Sequence, residues 1–175
     1  VSLDHPYHSF FTKDTNGKTI TVDPDFMNSV MNANGDATEE KISEESAKWM
    51  KLRVDDMNFA LDELKRGADE NDLEAYWFEN DSLKNDSIEA LDLIDTEKIG
   101  VMGHSMGGAT AVEIGKERDD IDAVIDIDGT MLASITGAKD GKYIIEDVEY
   151  HVPLFELKNA DSYYELIEIE KMDYP

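Results

Sequence analysis

Cysteine is absent from this chain, and basic residues, proline and long apolar runs are scarce. Without cysteine there is no disulfide and no thiolate nucleophile or metal ligand, and the redox compartment stays open. Lys and Arg number 16 against 41 Asp and Glu, a formal net charge of −25. That balance disfavours nucleic acid, whose phosphates are met by Lys and Arg, and adsorption to anionic bilayers. Of the 16 basic residues 13 are Lys, which fits a highly soluble acidic protein better than a salt-adapted surface. No run approaches the ~18 apolar residues of a membrane-spanning helix. No stretch reads as a signal peptide, but the chain opens on Val1 and stops at Pro175, so a cut at both ends is expected. No compartment is therefore assigned. At 175 residues the chain can bury a sizeable core, and residues 1–175 are read as one incomplete domain.

What is present is a short apolar run, residues 99–102, that ends in Gly103-His104-Ser105-Met106-Gly107-Gly108, with small and aliphatic residues following through Ile114. The pattern predicts a strand, a sharp turn and a helix. Gly103, Gly107 and Gly108 supply the missing side chains that a cramped turn requires. Ser105 is expected at the tip with its hydroxyl clear of the backbone. The Met106 N–H, at the positive end of the new helix, would face negative charge developing on a substrate oxygen. Those are the parts of an acyl-transfer nucleophile. The plain alternative is a glycine-rich strand–helix turn with a bystander serine.

Elsewhere the pattern is coarser. Residues 1–3 read as the end of a buried strand and Asp4-His5-Pro6-Tyr7-His8 as the loop leaving it. His5 and His8 read as loop histidines with local hydrogen bonds rather than as catalytic groups. Residues 10–12 and 18–22 flank Asn16-Gly17, a hairpin signal. Residues 23–37 read as a polar connection. From Thr38, a candidate N-cap, Ala47, Met50, Val54, Met57, Leu61 and Leu64 recur at steps of three and four, predicting a helix that ends near Gly67. Residues 68–97 are acidic and weakly periodic, with Tyr76-Trp77-Phe78 expected to pack under a loop. Residues 123–127 and 152–157 read as further buried strands, 137–141 as a turn, 143–145 as a short extended piece and 163–169 as a tail helix.

Asp126 and Asp128 lie at the carboxyl end of the 123–127 strand, where open parallel sheets carry their active residues. In a serine hydrolase the acid partner follows a strand after the nucleophile helix, which places Asp128. It would hold an imidazole in the useful tautomer and stabilise the imidazolium formed as Ser105 loses its proton. A rival reading exists. Val124-Ile-Asp126-Ile-Asp128-Gly129-Thr130 resembles the first motif of haloacid-dehalogenase-like phosphatases, in which the first Asp attacks phosphorus and both acids hold magnesium. Only 45 residues follow Thr130, too few for that family's later strands, and the serine motif would go unexplained. A third reading is a non-catalytic acidic interaction module.

With the strand leading into Gly-His-Ser-Met-Gly-Gly, then Asp128-Gly-Thr-Met, then Val152-Pro-Leu-Phe-Glu-Leu, the chain resembles the α/β-hydrolases. More narrowly it resembles the plasma-type platelet-activating factor acetylhydrolases and their bacterial relatives. The likeness runs over about residues 87–164, with residues 53–64 similar to the helix before the nucleophile strand and residues 1–8 to an earlier strand and loop. The resemblance implies a partial α/β-hydrolase fold, a mainly parallel sheet flanked by helices. It implies Ser105 as nucleophile, Asp128 as triad acid and Met106 N–H as one oxyanion donor, with Gly103, His104, Gly107 and Gly108 shaping the turn. It also implies a small ester or lipid substrate and neither metal nor cofactor. Thr130 stands where the family carries an aromatic residue. The second oxyanion donor would lie upstream of Val1 and the catalytic histidine downstream of Pro175. His151 precedes its strand and so does not fit that role.

Overall fold

The computed structural model describes residues 1–14, 16–70, 78, 80–129, 132–147 and 149–160. At its centre is a three-stranded, wholly parallel sheet in the order β3-β4-β7, formed by β3 (Gly100–His104), β4 (Ala123–Ile127) and β7 (Leu154–Leu157). The register pairs Val101 with Val124 and His104 with Ile127, and on the other side Ile127 with Leu157. A crossover helix, α4 (Met106–Glu117), connects β3 to β4, as parallel neighbours require. The fold is thus α/β with a parallel sheet flanked by helices.

The core is where α4 meets the sheet. Ala109, Ala111, Val112 and Ile114 of α4 pack with Val101 of β3, Val124 of β4 and Ile121. Met50 and Val54 close this cluster from the long helix α2 (Glu39–Glu70), with Met57 and Leu61 packed against it. Gly115 lets α4 lie close on β4, because a Cβ there would stand 2.6 Å from Val124 Cγ2 and against the Tyr150 hydroxyl. Thr38 starts α2 as expected, its hydroxyl accepting from Lys41 N–H at 3.4 Å.

Two antiparallel hairpins accompany the sheet. The first pairs β1 (Phe11–Lys13) with β2 (Thr19–Thr21) around the turn at Asn16-Gly17, where Gly17 has φ 75°. The second pairs β5 (Ile135–Lys139) with β6 (Lys142–Ile145), and Asp140 and Gly141 make its two-residue turn, both at positive φ. That turn is narrower than the expected 137–141, because β5 itself extends through Lys139.

Several expectations change. Residues 1–3 are exposed and in no strand, since no neighbouring strand pairs with them among the described residues. Residues 23–37 contain a helix, α1 (Pro24–Ala33), started by Asp23, which accepts from Asp25 N–H, and by Pro24 in the first turn. α1 is fastened to α2 by Trp49 Nε1 donating to Ser29 Oγ at 2.8 Å and by Ser29 donating to Glu45 at 2.8 Å. α2 passes through Gly67 to Glu70, an interior glycine costing only about 1 kcal/mol in a helix. The acidic stretch holds α3 (Asp81–Leu91), capped by Asn80 accepting from Leu83 N–H at 3.0 Å. Tyr76, Trp77 and the expected tail helix lie outside the described residues.

His5 is buried and its Nδ1 lies 2.9 Å from Asp56 of α2. Burial lowers its pKa, partly offset by that hydrogen bond. His8 stacks on Phe26 with ring centroids 3.7 Å apart, and burial lowers its pKa as well. Both histidines anchor the first segment to α2 and α1 through distant contacts, in place of the local side-chain hydrogen bonds expected of them.

Lys48, Lys41 and Ser29 together hold the Glu45 carboxyl down at about 2. A depressed carboxylate stabilises the fold above its unfolded pKa and loses that contribution as pH falls through the folded value. Relative to Glu45→Gln, the wild-type chain is expected to be more stable at pH 6. In urea unfolding the margin should close as pH falls from about 4.5 toward 2, and a margin independent of pH would contradict this assignment.

Candidate active site

β3 stops at His104 and α4 begins at Met106, so the whole reversal rests on Ser105. Its backbone has φ 53° and ψ −123°, a conformation that L-residues with a side chain rarely adopt. Two hydrogen bonds hold it there. Ser105 N–H donates to Ile127 O at 2.9 Å, extending the β3–β4 ladder by one step, and Ser105 O accepts from Ala109 N–H at 3.1 Å as the first bond of α4. The side chain is exposed and does not cap the helix, and its hydroxyl has no hydrogen-bond partner among the described residues.

The glycines have unequal roles. A Cβ on Gly103 would collide with the carbonyl group of Gly107 and stand 2.6 Å from Gly108 N. One on Gly108 would overlap Asp126 Oδ1. One on Gly107 would meet nothing within 4 Å. So Gly103 and Gly108 are needed for the close approach, and Gly107 is not. The Met106 N–H heads α4, where first-turn amides lack partners within the helix and point toward incoming negative charge.

Asp128 lies one residue past the end of β4. Because His104 and Ile127 are paired, Ser105 and Asp128 occupy equivalent steps at the carboxyl ends of neighbouring parallel strands, which run about 4.8 Å apart. Asp128 also has positive φ, 50°, and its N–H donates to Leu157 O at 2.6 Å. Its carboxylate accepts from Asn159, the backbone N–H at 3.3 Å on Oδ1 and the side-chain Nδ2 on Oδ2.

Asp126 behaves differently. It is 1% exposed, beneath the first turn of α4. Oδ1 accepts from Gly129 N–H at 2.9 Å and Oδ2 from Lys158 Nζ at 2.9 Å; the same Nζ also donates to Gly129 O. Lys158 and Asn159 escaped the sequence reading. The available signal was a polar pair directly after an apolar parallel strand, at the end of the sheet where Ser105 and Asp128 sit.

None of the four histidines is hydrogen-bonded to Ser105 or Asp128. His5 is tied to Asp56, His8 stacks on Phe26, and His104 and His151 are exposed. On the flank of β3 away from β4, a cavity of about 740 Å³ runs from α2 to the turn, lined by Met57, Leu61, Leu64 and, at its end, Gly103, His104 and Gly107. Arg53 also lines it, with a buried Nε that has no hydrogen-bond partner among the described residues.

The model of the family described as "Platelet-activating factor acetylhydrolase, isoform II" matches residues 9–140, more than half of the chain. The chain belongs to this family. The match takes in residues 53–64 and most of the expected 87–164 likeness, begins after residues 1–8 and stops before β7. It takes in the Ser105 turn and Asp128 and leaves Lys158 and Asn159 outside. A search of curated proteins gave no match. Family membership places the chain among hydrolases of the α/β-hydrolase superfamily.

In this acetylhydrolase-family chain the three glycines of the turn should separate in mutagenesis. Gly107→Ala is expected to be neutral or to stabilise by up to about 1 kcal/mol, since alanine is the better helix former. Gly103→Ala and Gly108→Ala should each cost about 3 kcal/mol or more by forcing backbone or a buried carboxylate to move. Equal effects of all three in thermal or urea unfolding would contradict the unequal packing.

Proposed function

We propose that the chain carries the nucleophile and acid of a carboxylic-ester hydrolase acting on a small ester or a lipid ester. The observation that carries this reading is the conformation of Ser105, a strained, exposed residue directly before a helix N-terminus, whose hydroxyl is unengaged among the described residues. Strain of this kind persists only where the surroundings over-determine it, and it clusters at reactive groups.

In the proposed reaction Oγ attacks the acyl carbon while an imidazole takes the hydroxyl proton, and the carbonyl oxygen becomes an oxyanion facing Met106 N–H. Collapse breaks the ester C–O bond, the imidazolium returns its proton to the departing alcohol, and an acyl-Ser105 remains. Water then attacks with the same proton relay, giving the carboxylic acid and free serine. Asp128 would orient the imidazole and stabilise its charged form. The imidazole is not supplied by His5, His8, His104 or His151 in the arrangement described. Against phosphoryl transfer through Asp126 stands the burial of that carboxylate, with an oxygen bonded on each side.

The reading predicts selective reaction with a fluorophosphonate, whose phosphorus bonds to Oγ as fluoride leaves. Intact-mass and peptide analysis should find the adduct on Ser105, absent from Ser105→Ala. Added free imidazole, standing in for the base, should accelerate it at least about tenfold, and Asp128→Asn should remove most of that gain. Modification of Ser105 no faster than of the chain's other serines would sink the proposal.

A further inference from the structure

We propose that Lys158 and Asn159, the two residues directly after β7, form a clamp that positions the carboxylate of Asp128. The inference rests on the reading of Asp128 as the acid partner of Ser105, and it concerns what holds that acid in place.

Asp128 needs holding. It follows the last paired residue of β4 and has left-handed φ, so the ladder ends at its own N–H, which bonds Leu157 O, and leaves the rest of the residue outside strand and helix. An isolated strand end in that conformation would relax. Consecutive residues of an extended chain point to opposite sides, and the pair after β7 uses both sides. Asn159 turns to Asp128 and bonds both carboxylate oxygens, one from its backbone N–H and one from its side-chain amide. Lys158 turns the other way and bonds the residues that bracket Asp128. Its ammonium reaches Asp126 Oδ2 before it and Gly129 O after it.

The arrangement immobilises the peptide on both sides of Asp128 and fixes the carboxylate's rotation as well. Lys158 is mostly buried, with its side chain 18% exposed, and its partner Asp126 is 1% exposed, so the ion pair is shielded from bulk water. Burial works to lower the Lys158 pKa, but the Asp126 and Glu156 carboxylates outweigh it and raise the value, which keeps the clamp charged at neutral pH. Leu157 O, accepting from Asp128 N–H, completes the contact, so two of the three successive residues at the β7 end bond Asp128 and the third, Lys158, bonds the residues on either side of it.

The test is a double-mutant cycle on the imidazole-dependent rate of Ser105 phosphonylation. Asn159→Ala is expected to lower that rate about tenfold, and to have no further effect in a chain that already carries Asp128→Asn. Lys158→Met leaves a buried charge unpaired and can fail to fold, so Asp126→Asn/Lys158→Met, a neutral pair of similar volume, is measured beside it. That double variant should recover the melting temperature but not the rate, because the bridge to Gly129 O stays lost. Equal losses from Asn159→Ala in the wild-type and Asp128→Asn backgrounds would make the contact merely structural and overturn the clamp. So would an undiminished rate in Asn159→Ala when Asp128→Asn is slow. If Asp128→Asn itself reacts at the wild-type rate, the acid assignment fails and the clamp falls with it.

Discussion

The structure turns on how closely the first turn of α4 approaches the carboxyl ends of β3 and β4. The backbone of Gly107 and Gly108 lies against Gly103, with no room for a side chain on Gly103 or Gly108. At that spacing a chain leaving β3 must reverse within one residue. The residue at the corner is forced to positive φ, and that residue is Ser105. The exposure of its hydroxyl follows from the same reversal, which leaves the side chain outside both strand and helix. Strain here is held by hydrogen bonds on both sides, to Ile127 and from Ala109, and by the packing of Ala109, Ala111, Val112 and Ile114 on the sheet.

The tight approach creates a second demand. Beneath the helix start lies Asp126, whose carboxylate fills the space that the missing Cβ atoms of Gly108 and Gly129 leave. A buried carboxylate is costly unless paired and hydrogen-bonded. It is favoured by the positive end of α4 and bonded by Gly129 N–H and Lys158. An unneutralised negative charge at this position would oppose an oxyanion forming at Met106 N–H. The Lys158 ammonium removes that opposition, so the electrostatics beneath the helix and the chemistry proposed above it are compatible.

The centre of this fold was legible in the sequence because its signals are local. An apolar run into Gly-x-Ser-x-Gly-Gly marks strand, turn and helix within the 16 residues 99–114, and the carboxylates Asp126 and Asp128 mark the end of a second parallel strand. The shorter pieces were less legible. α1 has 10 residues and buries none of them fully; its apolar pairs Phe26-Met27 and Val30-Met31 repeat only once, too short a period to stand out in a polar stretch, although Asp23-Pro24 marked its start. β5 carries a glycine and a bulge, which breaks the alternation that would betray a strand. Residues 1–3 are apolar enough to read as a strand, but strand state depends on a partner that local sequence does not reveal. The clamp was hidden for the same reason: Lys158 and Asn159 meet Asp126 and Asp128 across about 30 positions of sequence.

The scarcity of basic residues bears on how the elements stay together. At −25 the packed elements repel one another, and repulsion is strongest where two acidic segments meet. Several of the few cations stand at those seams. Arg118, at the end of α4, bonds Asp120 and reaches across to Asp62 and Asn58 of α2; Lys65 of α2 pairs with Asp120 in return. Lys116 joins Glu113 of α4 to Glu146 beyond β6, and Lys158 joins β7 to β4. Exposed pairs contribute little each, but these four cations are half-buried or better and each bridges segments far apart in sequence. Removing Lys116, Arg118 or Lys158 would leave two carboxylates at a seam without the cation they share. A chain so acidic therefore depends on the placement of its cations more than on their number, and the one nearest the proposed site, Lys158, serves both the joint and the acid.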